Sequence, residues 1–267
     1  MQHRIQSAAD PMQEKIVKNL SKINRKIIVM SGKGGVGKST VCVNIATALA
    51  RRKNRVGILD VDIHGPNIPK MLHVEDEQLS ADESGIIPVK VNENMVIMSM
   101  AYLLDDKDTA IIWRGPMKMS VVGQFIGEVQ WGELDYLVVD LPPGTGDESL
   151  SIVQQIPDGE MVIVTTPQEV ALLDCKKSIN FAKKLEMKIL GLVENMSGFS
   201  CPHCKKEIQV FKTGGGEKTA NETGIPFLGR LPMDPAFAIS GDEGIPEVLN
   251  NGQLSKSING IVDRIEE

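Results

Sequence analysis

The sequence contains few aromatic residues and no long hydrophobic segment. Only 4% of its 267 residues are Phe, Trp or Tyr, which leaves little material for a surface that stacks the bases of single-stranded nucleic acid. The longest apolar runs, such as 136–139 and 161–164, have the length of a strand, whereas a membrane-spanning helix needs about 20 residues. These scarcities exclude a base-stacking surface and a transmembrane helix.

Positive charge and cysteine are scarce as well. The 29 Lys and Arg residues against 35 Asp and Glu give a net charge of -6, which argues against nucleic acid as a partner because such binding neutralises phosphates. No apolar signal segment follows the first basic residues, so the four cysteines are expected to be reduced and the protein to be cytoplasmic. The length fits one large α/β domain that needs no disulfide or metal to bury a core.

Short β-branched runs alternate with stretches of helical period, a pattern typical of repeated βα units. It predicts an α/β fold in which helices flank both faces of a mostly parallel central sheet. Buried strands are predicted at 26–31, 55–60, 95–100, 136–141, 161–165, 189–194 and 227–231. Helices are predicted at 38–53, 116–130, 147–155, 168–186, 214–223 and 253–265.

Two segments lie outside this alternation. Residues 1–24 carry an apolar stripe at helical spacing, so they are predicted to form a peripheral helix docked on a single domain that spans 25–267. The acidic stretch 74–94 is interpreted as a solvated loop, and a hairpin insertion there is favoured over a domain boundary.

A phosphate-binding loop follows the first predicted strand. Residues 32–39 match the pattern G-x-x-x-x-G-K-S between an apolar strand and a helix, which is the context that the mechanism requires. Lys38 is expected on the β- and γ-phosphates, Ser39 on Mg²⁺ and Thr40 beside the α-phosphate. The complete set of predicted nucleotide contacts in this loop is Gly32, Lys33, Gly34, Gly35, Val36, Gly37, Lys38, Ser39 and Thr40.

Carboxylates follow two other predicted strands. Asp60 and Asp62 are two residues apart and therefore point the same way from the carboxyl edge of the sheet, where ligands of open α/β sheets bind. Asp62 is the candidate for activating the attacking water, and Asp60 for the Mg²⁺ shell or for supporting the loop. Asp140, after four apolar residues, is the expected Walker B ligand of Mg²⁺. Capping or solubility remains the alternative for acids at a strand end.

The segment after Asp140 is a candidate nucleotide switch. Its Pro and Gly residues indicate a defined turn whose backbone responds to the γ-phosphate, and its last acid is expected to begin or cap the next helix. Together with Asp62, the predicted switch residues are Gly144, Thr145, Gly146 and Asp147.

Cys201 and Cys204 form a C-x-x-C pair on a loop after a late strand, within a predicted metal loop at 199–206. Two thiolates at this spacing chelate one corner of a soft metal site, so a complete site for zinc or an iron–sulfur cluster needs two more sulfurs. Cys42 and Cys175 lie in predicted helices and are interpreted as packing residues. A two-fold dimer would supply the missing thiolates. A zinc knuckle and a thiol redox motif remain alternatives.

Several motifs together resemble the Mrp/ApbC (Nbp-type) family of P-loop ATPase iron–sulfur cluster carriers, within the deviant Walker A superfamily of MinD, ParA and nitrogenase reductase. The resemblance spans about residues 26–240. The motifs are SGKGGVGKST, DVDIHGPNIP, IIWRGPMKM, DLPPGTGDE, TTPQEVALLDCKKSINFA, GLVENMSGFSCPHC and IPFLGRLPMDP.

The resemblance implies a P-loop NTPase fold and a slow, switch-type ATPase. It implies that Lys33 reaches across a dimer interface to the partner's nucleotide, and that Asn195 reads the adenine. It also implies a homodimer in which Cys201 and Cys204 of two subunits hold a bridging [4Fe–4S] cluster, to be delivered to apo-proteins. A MinD/ParA-like positioning ATPase and a zinc-stapled dimeric ATPase switch are the alternatives. The acidic C-terminal stripe argues against a membrane partner.

Overall fold

The computed structural model describes residues 10–63, 65–103, 115–201, 203–204 and 206–267. The predictions for 1–9, His64, 111–114, Pro202 and Lys205 therefore lie outside the described residues. The strands are β1 (Ile23–Ser31), β2 (Val56–Asp60), β3 (Ser80–Asp82), β4 (Gly85–Ile87), β5 (Val89–Asn92), β6 (Met95–Ser99), β7 (Leu134–Asp140), β8 (Glu160–Thr165), β9 (Lys188–Glu194), β10 (Phe199–Ser200), β11 (Glu207–Ile208) and β12 (Phe227–Arg230).

The α-helices have the following bounds. They are α1 (Pro11–Leu20), α2 (Lys38–Arg51), α3 (Ile68–Met71), α4 (Gly115–Gly127), α5 (Asp147–Gln155), α6 (Glu169–Lys184), α7 (Gly215–Thr223), α8 (Pro235–Glu243) and α9 (Gln253–Glu266). Short 3-10 helices lie at Met100–Leu103 and Glu247–Leu249.

The described chain builds a main sheet of eight strands in the order β12-β9-β8-β1-β7-β2-β6-β5. Every pair of neighbours is parallel except β5 and β6, which are antiparallel. All seven predicted strands belong to this sheet, and β1 lies in its interior between β7 and β8. The predicted mostly parallel α/β sheet is therefore confirmed.

Helices cover both faces of this sheet, as the alternation of side chains along β1 shows. Ile27 and Val29 pack into one hydrophobic cluster together with residues of α2 and α9. Ile28 and Met30, which point the opposite way, pack into a second cluster with residues of α1, α4 and α5. A strand buried on both faces reads as a continuous apolar run, which is why these strands were visible in the sequence.

The amino-terminal helix α1 packs on α4. Its Ile16 and Leu20 are buried, and the side-chain amide of Asn19 donates hydrogen bonds of 2.8 and 2.7 Å to the carbonyls of Ile126 and Val129. Asp10 caps its first turn by accepting from the amide of Met12. This helix thus contributes to the same core as α4.

The interpretation of 74–94 as a solvated loop is wrong. β3 and β4 form a small antiparallel hairpin, and β5 joins the main sheet at its edge as an eighth strand. Only Val89 of β5 is fully buried, so this edge strand lacks the apolar run that marks the others. Helices α3 and α8 were not predicted either. Nowhere in the described chain is a helix both long and apolar enough to cross a bilayer.

Candidate nucleotide site and cysteine hairpin

The phosphate-binding loop connects the carboxyl end of β1 to the first residue of α2, Lys38. Gly35 and Gly37 have φ values of +77° and +81°, a left-handed conformation that favours glycine. A side chain at Gly32 would lie 2.4 Å from the backbone carbonyl of Asp174 on α6, so only glycine fits there. An open backbone before the amino terminus of a long helix is the arrangement expected of an anion cradle.

The predicted phosphate and magnesium residues converge at this loop. The ammonium of Lys38 lies 2.8 Å from Oδ2 of Asp140 and 3.5 Å from Oδ2 of Asp62. The hydroxyl of Ser39 donates to the same Oδ2 of Asp140 over 2.6 Å. The structure therefore gathers four residues from three separate motifs within hydrogen-bond or ion-pair distance of one another.

A second buried carboxylate lies beside Asp140, because Asp60 on β2 is in register with Asp140 on β7. Burial and the charge of Asp140 raise the pKa of Asp60 to about 8. Burial also raises the pKa of Asp140, although Lys38 opposes that shift. Burial disfavours the charged form of Lys38, but Asp140 and Asp62 outweigh it and raise the pKa of the ammonium.

Asp60 and Asp140 differ in whether both of their carboxylate oxygens have a hydrogen-bond partner. Oδ2 of Asp60 accepts from the hydroxyl of Ser99 over 2.8 Å, and its Oδ1 accepts from the amide of Asp62 over 3.3 Å. Asp60 therefore braces the loop that carries Asp62. By contrast, Oδ1 of Asp140 is buried and has no hydrogen-bond partner within the described chain. A carboxylate oxygen beside the Ser39 hydroxyl is the donor set that Mg²⁺ takes in phosphate-loop proteins, so these residues fit the ion.

Lys33 differs from Lys38 in its surroundings. Its side chain is half-buried and forms no ion pair with any described residue. Its backbone carbonyl accepts a 3.0 Å hydrogen bond from Ser31, which fixes the start of the loop. Gly34 beside it is exposed. Lys33 is thus the lysine of this loop that has no ion pair among the described residues, whereas Lys38 has two.

The candidate switch joins β7 to α5. Gly144 has a φ of +94°, and its amide donates over 2.8 Å to the carbonyl of Ser31 at the end of β1. Ser149 Oγ donates back to the Gly144 carbonyl over 3.0 Å. Thr145 and Gly146 are exposed, and α5 begins at Asp147. The segment is therefore tied to the phosphate-binding loop at one end and open to solvent at the other.

A cleft of about 560 Å³ opens beside the loop, and we call it the nucleotide cleft. Gly37 and Thr40 form one wall, and Asn195, which is buried, donates from its side-chain amide to the Val36 carbonyl over 2.8 Å. Residues of α3 and α8 that sequence analysis missed, Met71 and Phe237 among them, add apolar surface. The signal for α8 was present, since Asp234 caps it and Pro235 begins it.

The cysteine pair lies at the tip of a small antiparallel hairpin formed by β10 and β11, which we call the cysteine hairpin (199–208). The amide of Cys201 donates to the Lys206 carbonyl over 3.0 Å and closes the tip. Cys201 is half-buried and Cys204 is exposed, whereas Cys42 and Cys175 are buried. The accessible thiols are therefore the predicted pair, and the other two cysteines pack in the core.

Comparisons with known proteins agree with this geometry. A family model described as NUBPL iron-transfer P-loop NTPase (ParA) matches residues 22–266. An iron-sulfur cluster carrier protein from Methanocaldococcus jannaschii is 54% identical over 254 residues, which cover 95% of this chain and 88% of that protein. A cytosolic Fe-S cluster assembly factor NUBP2 homolog from Nematostella vectensis is 43% identical over 94% of this chain and 95% of that protein.

Solved structures show the same fold. A nucleotide-binding protein from Archaeoglobus fulgidus in complex with ADP has a TM-score of 0.79 at 37% identity, covering 89% of this chain and 93% of that one. The cell division ATPase MinD from Pyrococcus furiosus has a TM-score of 0.65 at 23% identity, covering 91% and 98%. The resemblance seen in the motifs is confirmed. Since the family model extends from the start of the central sheet to the last helix, the chain belongs to the NUBPL family of iron-transfer P-loop NTPases.

Proposed function

We propose that this protein is an ATP-dependent carrier that binds a labile iron–sulfur cluster and transfers it to apo-proteins. The observation that carries the proposal is an accessible thiol pair next to the nucleotide cleft. Phe199, the first residue of the cysteine hairpin, itself lines that cleft. Thiolates two residues apart chelate soft metals and iron–sulfur clusters. Names of relatives that specify cluster carriage or assembly support the same function.

One protomer offers too few thiolates for a cluster. Within the described residues, no group of three or more His, Cys, Asp or Glu side chains is placed to hold a metal ion. In two copies related by a two-fold axis, each copy would contribute Cys201 and Cys204. A site on that axis would then have the four thiolates of a [4Fe–4S] cluster. We therefore propose a homodimer whose subunits share the cargo cluster.

In this proposal the nucleotide site works as a slow ATPase switch. Lys38 and the loop amides would hold the phosphates, and Ser39 with Asp140 would hold Mg²⁺, which neutralises phosphate charge when bound. Asp62, 3.5 Å from Lys38, would orient and deprotonate the attacking water. Lys33 would supply positive charge to the partner's nucleotide, where negative charge develops on the transferred group.

A membrane-positioning role receives no support from the C-terminal helix. The apolar stripe of α9, formed by Leu254, Ile258, Ile261 and Ile265, is buried in the core of the domain. A helix that anchors a protein to lipid must present such a stripe to the bilayer. A relative named as cytosolic supports the proposal that this carrier works in the cytoplasm.

The test is the content of iron and acid-labile sulfide after anaerobic reconstitution of the full chain. We expect about two irons and two sulfides per subunit, as one four-iron cluster shared by a dimer requires. The double variant Cys201→Ala/Cys204→Ala should bind neither. Cys175→Ala, which removes a buried thiol, is the matched control and should load like the wild type.

Two outcomes would contradict the proposal. If the double variant held and delivered clusters as well as the wild type, the cysteine hairpin would not be the carrier site. If the wild type bound zinc without sulfide under the same conditions, the pair would be a structural dimer staple. The function would then lie in what the ATP switch binds.

A further inference from the structure

The strand that precedes the cysteine hairpin, β9, ends in a buried acid, Glu194. This side chain is fully buried at 0% exposure, although it is a glutamate. An ionised carboxylate is buried only where several donors replace its water. The donors around Glu194 show which part of the chain it holds.

Three hydrogen bonds end on this carboxylate. The hydroxyl of Ser197, at the outgoing end of the segment that carries the hairpin, donates to Oε1. The amide of Gly214, at the returning end, donates to the same Oε1 over 2.9 Å. The amide of Gly216 in the first turn of α7 donates to Oε2. One carboxylate therefore joins the two ends of segment 197–214 to each other and to the amino terminus of a helix.

The backbone at both ends is shaped to make this contact. Met196 and Gly198 on the outgoing side have φ values of +54° and +74°, and Gly214 on the returning side has +81°. A left-handed methionine is an uncommon conformation that surrounding bonds must hold. A Cβ on Gly216 would lie 2.9 Å from the Cβ of Glu194, so the helix approaches as closely as glycine permits.

The residue next to Glu194 contacts the phosphate-binding loop. Asn195 donates to the carbonyl of Val36 over 2.8 Å, and a Cβ on Gly37 would lie 2.2 Å from the same side-chain nitrogen. The amide of Asn195 is itself fixed by the Thr165 carbonyl on β8 over 2.8 Å. The phosphate-binding loop is therefore in direct contact with Asn195, and Glu194 is the adjoining residue at the same strand end.

From this arrangement we infer that Glu194 is a positioning residue that couples nucleotide occupancy to the cysteine hairpin, by holding both ends of segment 197–214 against the strand end that contacts the phosphate-binding loop. The inference rests on the proposed function, since it concerns how the nucleotide site and the thiol pair communicate. Coupling of this kind requires an element with two arrangements that both sites bias. In this proposal, the clamped segment 197–214 is that element.

The experiment measures alkylation of Cys201 and Cys204 in the cluster-free full chain, by mass spectrometry, with and without ATP and Mg²⁺. In the wild type we expect nucleotide to change the rate by about fivefold or more, the lower end of usual coupling between sites. In Glu194→Gln one oxygen becomes an amide that cannot accept, so the variant loses either the bond to Gly216 or both bonds on Oε1, and in either case the three-way clamp is broken. The alkylation rates with and without nucleotide should then differ by less than about twofold. The ATP affinity should also change by less than about twofold.

Two further variants separate coupling from folding. Ser197→Ala removes only the outgoing anchor and leaves both glycine amides on the carboxylate, so it should fold and show a reduced nucleotide dependence. Glu217→Gln changes the same charge in the first turn of α7, but that side chain is exposed and pairs with Arg230. It should behave like the wild type.

The inference is overturned if the wild type shows no nucleotide dependence, or if Glu194→Gln and Ser197→Ala keep the full dependence. A purely structural role would change thermal stability and both alkylation rates equally, leaving their ratio intact, and that too would overturn it. Because the assay uses no cluster, its failure is distinguishable from failure of the carrier function, which is judged by iron and sulfide in the wild type.

Discussion

The ammonium of Lys38 and Oδ2 of Asp140 are 2.8 Å apart, and both side chains are nearly inaccessible to solvent. The pair joins the helix after the phosphate-binding loop to the end of β7. A buried pair of this kind stabilises little on balance, since desolvation opposes the attraction. The pair matters because it fixes where the two groups lie. Phosphate would replace Asp140 as the partner of Lys38, and Mg²⁺ would replace Lys38 as the partner of Asp140.

Lys38→Ala should weaken ATP binding by about 10- to 100-fold, the loss expected for a charged hydrogen-bond donor. Lys33→Ala should leave ATP affinity nearly unchanged, because Lys33 forms no ion pair in the described part of its own protomer. Its turnover should fall by about 10³-fold if it acts as a trans cation does in related phosphoryl transfer. Titration calorimetry and phosphate release measure the two effects.

Mixing two inactive variants tests whether Lys33 acts across the dimer. In a mixed dimer of Lys33→Ala and Asp62→Asn, one site retains its own Asp62 and receives Lys33 from the partner subunit. Equal mixing should therefore restore about a quarter of wild-type turnover by random pairing. No restored activity in a sample that forms dimers would mean that Lys33 works within its own protomer.

Gly32→Ala should lower the free energy of unfolding by about 1–3 kcal/mol, as overpacking against backbone does. The added Cβ would lie 2.4 Å from the carbonyl carbon and oxygen of Asp174, which cannot rotate away. Gly260→Ala is the matched control, since it lies inside α9 with no atom within 4 Å of the new Cβ. It should stabilise the protein by about 0.5–1 kcal/mol through helix propensity. Urea unfolding measures both.

Two thiols should react quickly with a disulfide reagent in the native cluster-free protein, and all four only after unfolding. Cys201 and Cys204 are accessible, whereas burial raises the pKa of Cys175 to about 12 and that of Cys42 well above its usual value. The thiolate is the reactive form. Both buried cysteines are therefore protected in two ways, by lack of access for the reagent and by a raised pKa. Three or four fast thiols would contradict the observed packing of α2 and α6.

Glu160→Gln should destabilise the protein by about 1 kcal/mol at pH 7, as a partly exposed ion pair allows. Burial alone would raise the pKa of Glu160, but hydrogen bonds from Lys188 and Arg25 outweigh it and lower the pKa. A lowered native pKa adds stability above the unfolded value of about 4.3, and this is lost as pH falls through the native pKa. The difference between variant and wild type should therefore shrink below about pH 4.

The control for this prediction is Glu169→Gln. Lys212 lowers the pKa of Glu169 as well, but that pair is fully exposed, so its substitution should leave stability unchanged at either pH. Thermal unfolding at pH 3 and pH 7 distinguishes the two variants. An equal effect of Glu160→Gln at both values would mean that the ion pairs with Lys188 and Arg25 contribute nothing.

The strands and the phosphate-binding loop could be predicted because each has a strong local signature. Residues 56–60 are all buried and therefore all apolar until the terminal acid. β5 lacked such a run, since its alternate residues face solvent. The loop was predictable because glycine spacing fixes where backbone amides point.

The sequence predicted that Asp60 and Asp140 share one edge of the sheet, but not the contacts that depend on how strands and helices are arranged around them. That Asp60 lies beside Asp140 depends on the order of strands β2 and β7, which no local pattern encodes. Glu194 was visible only as part of a motif, because its three donors come from segments that follow it along the chain. No sequence pattern marked Met71 and Phe237 as site residues, since the cleft that they line forms only after α3 and α8 have packed.

The interior position of β1 has a consequence for how the protein is made. This strand is synthesised early, yet its two neighbours are β7 and β8, at Leu134–Asp140 and Glu160–Thr165. A ribosome adds about 5–20 residues per second. Several seconds therefore pass between the synthesis of β1 and that of both strands with which it pairs. Nascent chains should therefore acquire nucleotide-dependent protease resistance only after β8 has emerged from the ribosome.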